Sequence, residues 1–238
     1  MSKQLFQFKQ FSVHQDQCAM KVGTDGVLLG AWTSVAYNPY NILDVGAGTG
    51  ILSLMMAQRS NAQQIEAIEI DDDAFEQCAE NFENSPWNDR LFCFHASLLE
   101  YIEAVDEKFD LIICNPPFYS EDYKTKDKSR DLARFSDAMP MEHIIFAVTH
   151  FLSEKGKFSI VLPYKEEKKY IEEASLIDLS PNRILRIKGN PTSAIKRSLI
   201  EFSFHESATK INELIIETER HQYTQDYINL TKDFYLKM

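Results

Sequence analysis

The run Asn41-Ile42-Leu43-Asp44-Val45-Gly46-Ala47-Gly48-Thr49-Gly50-Ile51-Leu52-Ser53-Leu54-Met55-Met56-Ala57 constrains the fold of this chain more than any other segment. It opens as a short apolar strand and closes as an apolar helix, with three glycines at alternate positions between them. Glycine adopts positive φ without a Cβ clash and lets backbone come close to a ligand, and the helix that follows presents unpaired N–H groups at its start. A strand, a glycine turn and a helix open a βαβ unit. A dinucleotide fingerprint needs its third glycine three places after the second; here that place is Ile51, and Gly50 comes one residue early, so a dehydrogenase is not expected.

Ile65-Glu66-Ala67-Ile68-Glu69-Ile70-Asp71 reads as the next strand, ending in acids. Its spacing from the glycines, roughly twenty residues, suits a carboxylate that accepts the ribose hydroxyls of an adenosine-containing cofactor. Glu69 is the better candidate, because Asp71 and Asp72 stand where a helix starts and can cap it and complement its dipole. Two strands later, the apolar run Phe109-Asp110-Leu111-Ile112-Ile113-Cys114 stops at Asn115-Pro116-Pro117-Phe118. Ligands of open α/β sheets bind outside the carboxyl ends of the strands. The Asn115 amide, the Pro116 carbonyl and the Phe118 ring should therefore project into a cleft. Paired prolines restrict φ and remove two backbone donors, which leaves carbonyls free to accept from a substrate amine. Pro-Pro can also merely end a strand; the three features in this order favour a site.

With these residues the chain resembles the S-adenosylmethionine-dependent methyltransferases of the Rossmann-like class, over Asp44 to Gly50, Glu69 and Asn115 to Phe118. In that class Asn-Pro-Pro followed by Phe or Tyr accompanies methyl transfer to a planar nitrogen. An aryl amine is a poor nucleophile because its lone pair is delocalised into the ring. Two acceptors that hold its hydrogens and the nitrogen near tetrahedral point the lone pair at the methyl group. The sulfonium is already activated, so no metal is called for. The Phe118 ring would stack on the purine, a contact of about 1 to 3 kcal/mol per base.

A narrower resemblance, to the bacterial tRNA(Val) adenine methyltransferases, runs through Phe11 to Val13, Gln15-Asp16, Met20 to Trp32, Glu69-Ile70-Asp71, Ser85-Pro86-Trp87, Asn115 to Phe118, Lys196-Arg197 and Asp233 to Lys237. It implies methylation of the exocyclic amine of the adenosine 3′ of the anticodon. It also implies that the segment around Thr24 and Asp25 packs beside the cofactor; either residue could equally serve only to cap a helix that buries Val27, Leu28 and Ala31. The cofactor contacts expected on this resemblance are Thr24, Asp25, Asp44, Gly46, Gly48, Gly50, Glu69, Ser97 and Asn115. One departure concerns the third strand, Leu91 to Phe94, which many relatives follow with an acid that holds the cofactor adenine and which here runs into His95-Ala96-Ser97. Ser97 is a weaker substitute.

At 238 residues with 44% hydrophobic content, one α/β domain is the natural size. Strand signals near 42–45, 65–70, 91–94, 109–114, 157–162, 184–187 and 198–204 alternate with helices, which implies a mostly parallel seven-stranded sheet covered on both faces. The resemblance adds an antiparallel last strand. A single methyltransferase domain over 1–238 is expected, its residues 1–41 an extension packing beside the cofactor site. Cys18, Cys78, Cys93 and Cys114 form no C-x-x-C pair and the histidines no ligand spacing, so neither disulfides nor a metal site is expected. No apolar run approaches the ~18 residues that span a bilayer, and a cytoplasmic monomer is expected.

The net charge of −11 argues against an indiscriminate nucleic-acid binder, because affinity for a polyanion comes largely from neutralised phosphates. Two segments run against it. Lys124, Lys126, Lys128, Arg130 and Arg134 face only Asp127 and Asp131, and Arg183, Arg186, Lys188, Lys196 and Arg197 lie in a stretch without an acid. Arg130, Arg134, Arg186, Lys188, Lys196 and Arg197 are the candidate contacts to tRNA phosphates, with Phe118 on the base. The alternatives are a protein glutamine methyltransferase of the release-factor type, which would carry a helical amino-terminal domain, and a non-catalytic cofactor-binding protein, which would not require Asn115.

Overall fold

The computed structural model describes residues 5–117 and 139–238. Phe118, Arg130 and Arg134 lie outside them. An antiparallel hairpin, β1 (Leu5–Gln7) and β2 (Ser12–His14), leads into α1 (Thr24–Trp32). The elements β3 (Asn41–Val45), α2 (Ile51–Arg59), β4 (Gln64–Glu69), α3 (Asp72–Glu83), β5 (Leu91–His95), α4 (Leu98–Ala104) and β6 (Phe109–Cys114) follow. Beyond residue 138 come α5 (Met141–Phe151), β7 (Leu152–Pro163), a 3-10 turn (Tyr164–Glu166), α6 (Glu167–Ser175), β8 (Ser180–Lys188), β9 (Ile195–Ser203) and β10 (Lys210–Ile215). A small hairpin of β11 (Glu217–Glu219) and β12 (Gln222–Tyr223) precedes α7 (Gln225–Thr231).

The main sheet has eight strands in the order β10-β8-β9-β7-β6-β3-β4-β5. Only β9 runs antiparallel to its neighbours, and it is the strand expected to do so. The expected count of seven is corrected by β10, which pairs in parallel with β8 at the sheet edge. Its sequence, Lys-Ile-Asn-Glu-Leu-Ile, buries only Leu214, and an edge strand with one buried residue leaves almost no apolar periodicity to read.

Central strands carry apolar side chains on both faces, which is why they read as unbroken apolar runs. Ile42, Leu111 and Ile113 join a core with α1, α2, α3 and α7, whereas Leu43, Val45, Ile112 and Cys114 join another with α4, α5 and α6. Phe8, Phe11 and Val13 of the amino-terminal segment belong to the first of these cores. From β3 the chain moves outward through β4 and β5, then returns to place β6 on the other side of β3. The strand order thus reverses between β3 and β6, the point at which an open sheet of this kind leaves a crevice at its carboxyl edge.

Candidate active site

The turn after β3 occupies that crevice. Gly46, Gly48 and Gly50 have φ of +71°, +54° and +76°, all in the left-handed region that side chains other than glycine avoid. At Gly50 sterics add to the backbone preference: a Cβ would stand 2.5 Å from Phe82 Cε1 and 2.8 Å from Cys78 Sγ. A Cβ on Gly48, in contrast, would meet nothing within 4 Å among the described residues, so on this side a ligand can approach the backbone of the turn.

Two acids hold this turn from below and from the side. Asp44, at the end of β3, is fully buried, and its Oδ2 accepts from the backbone N–H of Ser53 at 3.0 Å and the Ser53 hydroxyl at 2.8 Å. The start of α2 is thereby tied beneath the turn. Burial raises the Asp44 carboxyl to about 7, against the lowering effect of the two Ser53 hydrogen bonds, and its Oδ1 is buried without a partner among the described residues. Glu69, at the end of β4, accepts the Gly48 N–H on Oε2 at 2.7 Å and those of Ile70 and Asp71 on Oε1 at 2.8 and 3.0 Å. Asp71 caps α3 by accepting from Ala74 N–H at 2.9 Å, as its position implied.

Asn115 follows β6 directly and is half-buried, and Pro116 behind it is buried. Among the described residues the Asn115 amide has no hydrogen-bond partner, which leaves it available to a substrate. The wall beside it is α1, where a Cβ on Gly26 would lie 3.7 Å from Asn115 Nδ2. Neither Thr24 nor Asp25 caps α1; its N-cap is Gly23, without a side-chain hydrogen bond. Thr24 is exposed and Asp25 half-buried, and Asp25 Oδ2 accepts from Arg197 Nε at 2.7 Å. That ion pair ties α1 to β9 next to the Asn115 wall.

The remaining expected residues have partners that the sequence does not announce. Ser97 and Glu100 form a capping box on α4, with Ser97 Oγ accepting from Glu100 N–H at 3.2 Å, so its hydroxyl hydrogen and one lone pair are left for a ligand. Arg186 makes a two-pronged pair with Glu167, 2.7 Å at its closest, and Lys188 pairs with Glu213 at 3.0 Å. Lys196 is exposed. His95 contacts the Ile70 carbonyl and Asp72 and stacks on Phe75, a structural arrangement.

Two residues that the sequence reading missed fasten the amino-terminal segment to the site. Asn81 of α3 donates to the carbonyls of Thr49 and His14, both at 2.9 Å, and accepts the His14 N–H at 2.8 Å. Gln77, one turn earlier, accepts from Gln17 and Cys18 N–H and donates to Asp16. Their signal was two amides four residues apart on the face that also carries Ala74, Cys78 and Phe82. Polar side chains on a buried face need partners, and here the partners are the glycine turn and the hairpin.

An open, glycine-lined turn, a carboxylate at the end of the neighbouring strand and a buried acid with one free oxygen among the described residues suit a cationic ligand that carries a ribose. The fold and site define a methyltransferase of the S-adenosylmethionine-dependent class, and residues 27–175 match the methyltransferase small domain family. A structure described as a predicted O-methyltransferase from Agrobacterium tumefaciens shares the fold, with a TM-score of 0.66, 20% identity and coverage of 88% of this chain and 96% of that one. A glycopeptide N-methyltransferase complexed with S-adenosyl-L-methionine aligns with a TM-score of 0.54 at 11% identity, over 77% and 99% of the two chains. Similarity in sequence is much closer to proteins named tRNA1(Val) (adenine(37)-N6)-methyltransferase. The one from Flavobacterium johnsoniae is 61% identical over 98% of this chain and 100% of its own length, and the one from Bacteroides fragilis is 43% identical over the whole of both. The chain belongs to the tRNA1(Val) (adenine(37)-N6)-methyltransferase family.

Proposed function

We propose that this protein methylates the exocyclic N6 of the adenosine 3′ of the anticodon in tRNA(Val), with S-adenosylmethionine as methyl donor, and that the residues at the carboxyl ends of β3, β4 and β6 carry the reaction. The observation that supports it is the position of Asn115: an amide without a hydrogen-bond partner among the described residues, next to the glycine turn, at the point where the strand order reverses. Bound cofactor supplies a methyl group already activated on a sulfonium. Glu69 and the turn Gly46 to Gly50 bind its ribose and its chain, while Asp44 acts from beneath through Ser53. Asn115 Oδ1 and the Pro116 carbonyl accept the two hydrogens of the amine, and Phe118 stacks on the base. Thr24 and Asp25 close the cofactor side, and Ser97 is left with one donor for the adenine.

The two alternatives are not favoured. The relatives matched along the whole chain are named as tRNA adenine methyltransferases and not as glutamine methyltransferases, and a bare cofactor-binding protein has no use for the Asn115 amide at the crevice. The joining of the amino-terminal segment to the first core supports one domain over 1–238, which we propose acts as a cytoplasmic monomer. No helix among the described residues is long and apolar enough to cross a membrane, and none of their His, Cys, Asp and Glu side chains cluster in threes as a metal site would require.

The test is methyl transfer from labelled cofactor to separate pools of tRNA, rRNA, DNA and release factor, followed by digestion and mass spectrometry of the labelled unit. N6-methyladenosine from tRNA(Val) is the expected product. Methylglutamine from release factor would overturn the proposal.

A further inference from the structure

Of the cations expected to meet tRNA, three in the described residues are held by acids of the protein itself: Arg186 by Glu167, Lys188 by Glu213 and Arg197 by Asp25. Different cations are exposed at the same edge of the sheet. Lys165 stands in the 3-10 turn after β7, and Lys168 and Lys169 follow in the first turn of α6. Residues spaced i, i+3 and i+4 share one helical face, and all three are exposed. Pro163 pairs with Arg197 across β7 and β9, which brings exposed Lys196 alongside Tyr164 and Lys165. The acids on the same turn and helix are half-buried Glu166 and Glu173, exposed Glu172, and buried Glu167, which is taken up by Arg186. Glu172 meets Lys168 at 3.6 Å with both side chains largely in water, a contact worth little.

The face is rigidly placed. Glu167, the first residue of α6, is 7% exposed and is held by Arg186 of β8 and by the Ser198 hydroxyl of β9. Lys168 and Lys169 leave the sheet immediately after that anchor. Tyr164 is 37% exposed, and its ring packs 5.4 Å from the Arg186 guanidinium, so an aromatic face sits among the lysines. The distance to the chemistry is short. Cys114, just before Asn115, pairs with Ile160, and at ~3.3 Å per residue Pro163 reaches about 10 Å beyond it on the neighbouring strand.

We infer that Lys165, Lys168, Lys169 and Lys196, with Tyr164 among them, form the surface that grips the RNA backbone next to the methylated base. The inference rests on the proposed tRNA methylation. Exposed cations without tight partners bind phosphates by releasing counterions, and an exposed ring among them gives an unstacked base a platform. Arg186 serves a different purpose here, as the clamp that holds α6 and Tyr164 in place.

The test compares the parent with Lys165→Glu/Lys169→Glu, with the milder Lys165→Ala/Lys169→Ala, and with Lys155→Glu, an exposed lysine near the opposite end of β7. Fluorescence anisotropy gives the tRNA Kd against salt, calorimetry the cofactor Kd, and initial rates the KM and kcat. The Glu pair should raise tRNA Kd and KM at least tenfold and flatten the log–log salt slope by about 1.4 to 1.8, for two phosphate contacts at about 0.7 to 0.9 each. Cofactor Kd, kcat at saturating tRNA and the Lys155→Glu control should be unchanged. Unchanged tRNA Kd in both lysine pairs would overturn the surface. Parent protein that binds tRNA through it and transfers no methyl group would overturn the proposed function instead. Loss of binding to phosphatidylserine vesicles with tRNA Kd intact would assign the lysines to a lipid headgroup and overturn the RNA reading.

Discussion

The Glu69 carboxylate accepts the Gly48 N–H at 2.7 Å, so the end of β4 carries the turn that leaves β3. With Ile70 and Asp71 also donating to it, three of its roughly four acceptor positions are filled by backbone. A ribose diol that places both hydroxyls on Glu69 must therefore displace one backbone donor, and the Gly48 N–H is the one able to turn, because its glycine has no described neighbour within 4 Å of where a Cβ would stand. Glu69→Ala should weaken S-adenosylmethionine binding by about 1.5 to 3 kcal/mol, the range for hydrogen bonds to a charged group. Calorimetry measures it, and amide NMR of Gly48 should shift on cofactor binding in the parent. A Gly48 resonance indifferent to saturating cofactor would separate Glu69 from the ribose.

Asn115 combines an open amide with a fixed neighbour, Gly26 of α1. Asn115→Ala removes one positioned acceptor and leaves the glycine turn untouched, so cofactor affinity should hold while turnover falls on the order of a hundredfold or more. Single-turnover kinetics with cofactor and tRNA both saturating isolates the chemical step. Parent-like rates there would exclude Asn115 from catalysis.

The elements that build the crevice were legible because each is local. A five-residue apolar strand, glycines at alternate positions, an acid at the next strand end and Asn-Pro-Pro each reveal themselves within a few residues. What stayed hidden was long-range pairing. Asp25 and Arg197 are 172 residues apart, and no periodicity in either segment says that they meet. Arg183 to Arg197 read as an acid-free basic stretch because its acids, Glu167, Glu213, Glu201 and Asp25, lie outside it in the sequence. Net charge along a segment describes a surface only if the fold leaves that segment alone.

For Arg186 the hidden partner changes the expected phenotype. Its removal leaves Glu167, 7% exposed, with the Ser198 hydroxyl but without a cation, and frees Tyr164 from its guanidinium neighbour. Arg186→Ala should lower stability by about 1.5 to 3 kcal/mol. Urea unfolding of the parent and variant in the absence of RNA is the measurement. A variant as stable as the parent, with only its tRNA affinity reduced, would return Arg186 to the phosphate-binding group.

The glycine turn gives a sharper stability test at Gly50. Alanine there must keep φ at +76° and fit a Cβ against Phe82 and Cys78 at under 3 Å. The left-handed cost of about 1 to 2 kcal/mol adds to about 1 to 3 kcal/mol of overpacking. Gly48→Ala carries the first cost alone, since its Cβ meets nothing among the described residues, so Gly50→Ala should be the less stable of the two in thermal or urea unfolding. Equal stabilities would mean that Phe82 and Cys78 yield freely.

Asp44 makes stability depend on pH in a direction opposite to that of most carboxylates. Its carboxyl is raised from 3.8 to about 7, first by burial, so between those values the folded protein holds a proton that the unfolded chain has released. Folding then takes up a proton, and the contribution of Asp44 to stability falls as pH rises through that window, reaching its least favourable value above about 7. At about 1.4 kcal/mol per unit the fall is at most on the order of 4 kcal/mol. Asp44→Asn keeps an oxygen for Ser53 and cannot ionise, so the stability difference between variant and parent should move in the variant's favour from pH 4 to pH 8. Urea unfolding across that range measures it. Curves that run parallel would show that Asp44 titrates in the folded protein as it does in water, with Oδ1 reached by solvent.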